Sequence, residues 1–197
     1  MIQVIQLILI IIGVALIIIF YRSHSCKMVY HKSDIDNREY LVRDLPDKQN
    51  ASNMLAFIKN NIYKITTYLH ENKDKYPDYK DYIDQLHSKV YKSSGIIINE
   101  SDDSNKYTSY SVNKGEQLIF CLRSRTTKKI HSSNIIMYVV LHEISHVACP
   151  EYGHTELFKK IFAFITSVAI SINLYEKVDF YENPTEYCGL TITESII

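Results

Sequence analysis

Tryptophan is absent from the 197 residues, and glycine and proline occur only five and four times. So few chain breakers exclude a collagen-like or linker-dominated architecture. Cysteine occurs four times, too sparsely for a disulfide scaffold in a chain of this length. Neither sign of charge is in excess, since 22 Lys and Arg offset 22 Asp and Glu. Domains that grip nucleic acid by its phosphates are clearly basic, so nucleic acid is not expected as a partner. With 46% hydrophobic and 22% charged residues, the composition excludes a disordered chain and suits one globular domain with an appendage.

A long hydrophobic run is present, at residues 2–20: IQVIQLILIIIGVALIIIF. Only Gln3 and Gln6 interrupt it. About 20 apolar residues rising roughly 1.5 Å each cover the roughly 30 Å of a bilayer core, so a transmembrane anchor is expected over 2–21. A cleavable signal peptide fits less well, because no basic residue precedes the run and no small-x-small site precedes Arg22. Arg22, Lys27 and Lys32 follow it, which by the positive-inside rule keeps the C-terminal bulk in the cytoplasm. The expected organisation is an anchor at 2–21, a stalk at 22–49 and a catalytic domain at 50–197, in a single-pass membrane protein.

Beyond the polar stretch ending near Pro46, the periodicity predicts a helix over 50–72, capped by Asn50 or Ser52. Leu55, Ile58, Ile62, Ile65 and Leu69 form its core-facing stripe. Pro77 separates it from a shorter helix over 79–91. A short strand is expected at 96–98, and strands at 107–112 and 117–122 are joined by the Asn113-Lys114-Gly115 turn as a hairpin. A long helix follows over 134–148, capped by Ser132 or Ser133 and stopped by Pro150, and another runs from His154 or Thr155 to about 175. The tail from 176, with Asn183-Pro184 and Cys188-Gly189, is expected to be irregular. Cys121, Cys149 and Cys188 are expected as free thiols, and His24, His31, His70, His87 and His131 as surface residues without partners.

One constellation carries chemistry: Leu141-His142-Glu143-Ile144-Ser145-His146, an HExxH inside the long helix. His142 and His146 stand four residues apart, so both imidazoles leave one helix face a turn apart and can meet one zinc ion. Glu143 sits beside the first histidine, placed to act on a metal-activated water as general base. Ile135, Ile136, Val139, Val140, Ile144 and Val147 make this helix largely buried. Two histidines and a glutamate are costly there without a partner, and a metal ion resolves the cost. A catalytic zinc needs a third protein ligand and an open position. His154 is the candidate, because Pro150 ends the helix and Gly153 permits a reversal back under the metal. Glu151, Glu156, Glu176 and Glu186 are rivals for that place, and Tyr187 and Tyr152 are candidates for an extra oxyanion donor.

HEISHVACPEYGHTELFKKIF resembles the minimal zincin core of the WLM and SprT-like metallopeptidases, in which HExxH is followed by a third histidine opening a helix that bears an aromatic residue. The matching positions are His142, Glu143, His146, His154 and Phe158. Seven residues separate His146 from His154, longer than the metzincin spacing, which leaves the subfamily open. The resemblance implies an α+β zincin-like domain with a small antiparallel sheet, Zn2+ as cofactor, a protein or peptide substrate, and a strand along the cleft, here matched to 117–122. The abundance of Ile, Lys and Asn is that of an AT-rich coding genome, such as those of some large DNA viruses. The function expected is a membrane-anchored zinc metallopeptidase. The rival is a membrane-anchored structural or virion protein in which the zinc site is not catalytic.

Overall fold

A computed structural model describes residue 6, residues 10–14, residue 16, residues 27–103 and residues 107–197. The membrane-spanning helix expected at 2–21 is corrected. Among the described residues no helix is long and apolar enough to cross a membrane. A span needs about 20 consecutive apolar helical residues. Of this run only Gln6, residues 10–14 and Leu16 are described, all helical, and the rest lies outside the described residues. The single-pass localisation and the cytoplasmic placement of the domain rested on that helix and fall with it.

The polar stretch before the first long helix is ordered as a hairpin. β1 (Met28–Lys32) pairs antiparallel with β2 (Glu39–Arg43), and Tyr40 and Val42 turn into the core. α1 (Lys48–Glu71) buries the expected stripe of Leu55, Ile58, Ile62, Ile65 and Leu69. It starts at Asp47 rather than at Asn50 or Ser52. The Asp47 carboxylate makes no capping bond and instead accepts from the Arg123 guanidinium at 2.7 Å. Two 3-10 turns (Lys73–Lys75 and Pro77–Tyr79) lead into α2 (Lys80–Val90), which buries Ile83, Leu86 and Val90.

β3 (Ile97–Glu100), β4 (Tyr110–Val112) and β5 (Gln117–Phe120) form a three-stranded sheet in the order β3-β5-β4. The β4–β5 hairpin is antiparallel as expected, but β3 runs parallel to β5, so the sheet is mixed and not purely antiparallel. α3 (Ser133–Ala148) packs on α1, α2 and β4 and against α4 (Glu156–Ser171). Twelve of the sixteen α3 residues are buried, which explains why this helix is apolar almost all round.

The tail is not irregular throughout. β6 (Thr185–Tyr187) and β7 (Leu190–Ile192) pair through a two-residue loop, Cys188-Gly189. Both loop residues have positive φ, 52° and 86°, as the tightest hairpin turns demand. Cys188 is disulfide-bonded to Cys121 at the end of β5, which corrects the expectation of free thiols at these two positions. Cys149 is free and buried. The covalent link crosses 67 residues and fixes the hairpin to the sheet.

Candidate metal centre

α3 places His142 and His146 on one face, and the α3–α4 connection brings His154 to meet them. The three Nε2 atoms are mutually 3.0, 3.2 and 3.2 Å apart. Three nitrogens bound to one tetrahedral ion at about 2.0–2.1 Å stand about 3.3 Å from each other, so the donor set fits a zinc ion. Burial and the neighbouring imidazoles hold His142 down to about 3. Burial, His154 and Lys114 hold His146 down to about 4. Both rings therefore offer lone pairs at neutral pH.

Phe158 underlies the cluster. Its ring stacks on His146 at 4.1 Å and meets His142 and His154 edge-on at 5.1 and 5.0 Å. It is buried, one turn into α4, at the aromatic position named in the sequence comparison above. Thr155 caps α4 by accepting from the Phe158 N–H at 3.3 Å, which fixes His154 immediately before the helix. Gly153, at φ 80°, makes the reversal that brings His154 back.

Glu143 is 5% exposed and burial pushes its carboxyl up to about 8. It lines an open cleft of about 360 Å³ together with the three histidines. The opposite wall is Tyr110 and Ser111 of β4 and the turn bearing Lys114. β4, not β5, is therefore the strand beside the cleft. β5 lies in the middle of the sheet with both edges paired, whereas β4 is an outer strand of the sheet.

None of the rival carboxylates joins the cluster. Glu151 accepts the Thr155 hydroxyl, Glu156 pairs with Lys159 at 2.8 Å and Glu186 accepts from the Gly189 N–H at 2.6 Å. Glu176 is held through its backbone by Asn134. Among the described residues His142, His146 and His154 form the group able to hold a metal ion. Tyr187 is not poised as an oxyanion donor. Its hydroxyl donates to the Cys121 carbonyl at 2.7 Å, leaving it to accept from Ser109 at 2.7 Å, and Ser109 accepts from the Cys121 N–H at 3.0 Å. This closed ring spends its single proton. Tyr152 is 84% exposed and lies under Lys114, 4.3 Å from ring centre to nitrogen.

Sequence reasoning missed Lys114 and Gln85. Lys114 donates to the carbonyls of Cys149 and Glu151 at 2.7 and 2.6 Å, and Gln85 to that of Val147 at 2.9 Å. Together they hold the end of α3 and the loop carrying His154. The turn around Lys114 was legible, but its partners lie far along the chain. His131, expected to lack a partner, accepts from the Cys188 N–H at 3.2 Å, and His70 stacks on His87 at 3.8 Å.

No family model matches the chain. "Uncharacterized protein R325" of Acanthamoeba polyphaga mimivirus is 44% identical over 194 residues, covering 98% of this chain and 97% of that one. "Uncharacterized protein 042R" of Invertebrate iridescent virus 3 is 36% identical over 83 residues, 42% of this chain and 50% of that one. "Uncharacterized protein 136R" of Invertebrate iridescent virus 6 is 35% identical over 83 residues, 41% of this chain and 44% of that one. Among solved structures, Wss1 from Saccharomyces cerevisiae matches 65% of this chain and 83% of its own at 16% identity and a TM-score of 0.41. At that score the likeness decides nothing about chemistry, which has to be read from the residues. The match to R325 runs nearly end to end, and the chain belongs to the same family of viral proteins.

Proposed function

We propose that this member of the R325 family is a zinc-dependent metallopeptidase, with His142, His146 and His154 holding the metal and Glu143 acting as general base. The observation that carries the reading is the convergence of three imidazole nitrogens at 3.0–3.2 Å beside a buried glutamate on the floor of an open cleft. A bound Zn2+ supplies Lewis acidity, polarising the scissile carbonyl and lowering the pKa of the attacking water.

The chain's own groups do the rest. Glu143, desolvated on α3, is a stronger base than an exposed carboxylate, and a metal ion held by the three histidines would favour its ionised form. It takes the proton of the attacking water and delivers it to the leaving amine. Phe158 excludes water beneath the imidazoles and fixes their planes. β4 is an outer strand of its sheet and lies beside the cleft, the position at which an extended peptide adds as a further strand. Protein or peptide is therefore the proposed substrate class.

The test is metal content by mass spectrometry, followed by cleavage of unfolded protein substrates, in the wild type, His154→Ala and Glu143→Gln. About one zinc per chain is expected, weakened or lost in His154→Ala. Glu143→Gln keeps the metal and loses cleavage by about 10²–10⁴-fold. A Glu143→Gln variant that cleaves at the wild-type rate overturns the mechanism. Zinc bound without cleavage, in a site closed to small anionic ligands, favours a purely structural metal.

A further inference from the structure

A second cavity of about 380 Å³ opens beside the cleft. The two share Ser109, His142, Glu143 and His154, so a peptide lying in the cleft can lodge one side chain in this cavity without leaving the metal centre. Its walls are mostly apolar. Val139, one turn before His142 on α3, and the ring of Tyr138 form one side, and Leu190 and Ile192 of β7 form the other. Leu190 is 59% exposed, a large aliphatic side chain that folding leaves outside the core. The ionisable groups at the walls include the carboxylates of Glu143 and Glu194, but no lysine or arginine lines it among the described residues.

The β7 wall is anchored from three sides. The Cys121–Cys188 disulfide ties the loop of the hairpin to the end of β5. Tyr187 closes its bond ring with Ser109 and Cys121 at the cavity's edge. Gly189 lies against the Arg125 side chain, whose Cδ would stand 2.8 Å from a Cβ there, and its φ of 86° favours glycine. The tail after β7 is tied down as well, because the Ile196 N–H donates to the Tyr138 hydroxyl at 3.2 Å.

We propose that the disulfide-tethered β7 strand is the specificity wall of the site, and that the cavity takes a large apolar side chain next to the scissile bond. The proposal rests on the peptidase reading. Moving an aliphatic or aromatic side chain from water into an apolar recess is favourable. An acidic side chain there faces the carboxylates of Glu143 and Glu194, with no lysine or arginine among the described lining residues to pair with it.

The test is binding, which is independent of turnover. Zinc-loaded full-length protein is titrated with acetohydroxamate and with three succinyl hydroxamates that differ in one substituent: hydrogen, isobutyl or carboxymethyl. The isobutyl compound is expected to bind at least about tenfold tighter than the hydrogen compound, and the carboxymethyl compound more weakly than either. In Leu190→Ala/Ile192→Ala the isobutyl advantage falls below about threefold, while acetohydroxamate, which reaches only the metal, binds as before. Leu190→Lys reverses the order in favour of carboxymethyl. Equal affinities for the three compounds overturn the proposal even if the protein cleaves peptides. An isobutyl preference untouched in both β7 variants overturns the assignment to β7. The expected pattern in a protein that cleaves no peptide supports the cavity and counts against the peptidase reading instead.

Discussion

The ammonium group of Lys114 donates a 2.7 Å hydrogen bond to the carbonyl oxygen of Cys149, the residue that ends α3. The same nitrogen reaches the Glu151 carbonyl, so one side chain from the β4–β5 turn fastens two points of the segment leading to His154. His154 is the most exposed of the three histidines and stands on a loop, so its position depends on such fastening. Lys114→Met is expected to weaken zinc binding by about 10–100-fold, the range typical when a group that orients a ligand is lost. Lys114→Arg, which can still donate to both carbonyls, recovers part of it. Competition with a chromophoric chelator reads the affinity, and an unchanged value in Lys114→Met sinks the idea.

Burial of Glu143 has a consequence for the metal-free protein. Its carboxyl titrates near 8 when folded and near 4.5 when unfolded. The folded state therefore holds the extra proton between those values, and stability falls as pH rises through that window, by at most about 1.4 kcal/mol per pH unit. His142 and His146 act in the opposite sense. Their folded values of about 3 and about 4 lie below the ordinary 6.5, so stability falls as pH drops below 6.5. Metal-free protein should be most stable near pH 6 in urea denaturation. Glu143→Gln should remove the loss above pH 6 and steepen the acid limb between about 4.5 and 6.5, where the glutamate no longer offsets the histidines. Wild-type and variant curves that stay parallel from pH 6 to 8 contradict this account.

Much of the site is legible in the sequence because its logic is local. His142, Glu143 and His146 follow from helical spacing, and His154 from Pro150 and Gly153, which bend the chain within a few residues. The stripe on α1 is equally local. What escapes the sequence depends on distant partners. Asp47 starts α1 without capping it because Arg123, 76 positions on, takes its carboxylate. β3 runs parallel to β5, and no periodicity within either strand encodes that partner. Cys188 takes a left-handed conformation that a non-glycine residue rarely adopts, in a turn fixed to Cys121 across 67 residues. A reading by turn chemistry alone therefore leaves β6 and β7 as irregular tail. The span expected at 2–21 rested on hydropathy alone, and among the described residues no helix is long and apolar enough to cross a membrane.

The disulfide yields a prediction that separates the hairpin from the metal centre. Closing a loop of this length restricts the unfolded chain, and reduction should cost about 2–4 kcal/mol of stability. The histidines stand on α3 and before α4, which the bond does not join, so zinc affinity should change little. Protection of the β6–β7 amides against hydrogen exchange should drop on reduction, while that of α3 persists. Equal loss of protection in both regions means that the bond supports the whole domain and not the hairpin alone.

Glu100 lies at the centre of a buried charge cluster that holds the strands beneath the helices. Its side chain is fully buried. It accepts from the Arg43 N–H at 2.8 Å and pairs with the Arg123 guanidinium, which also reaches Asp47. Arg43 in turn donates to the Ser101 carbonyl and to Asp103, both at 2.9 Å. Removing one partner of a buried ion pair leaves the other charged and unsolvated, so Glu100→Ala should cost about 3–5 kcal/mol in chemical denaturation. Replacing the pair together, Glu100→Leu with Arg123→Met, should cost less than either single change, because Arg43 keeps Asp103 and the Asp47 carboxylate that loses Arg123 is open to water. The cluster ties β2, β3, α1 and the segment after β5 to one carboxylate. Its loss should therefore lower global stability while the Nε2 triad, built on α3 and α4, keeps its zinc affinity in the fraction that remains folded. Additive effects of the two single substitutions would show that the charges act independently and that Glu100 is not the hub.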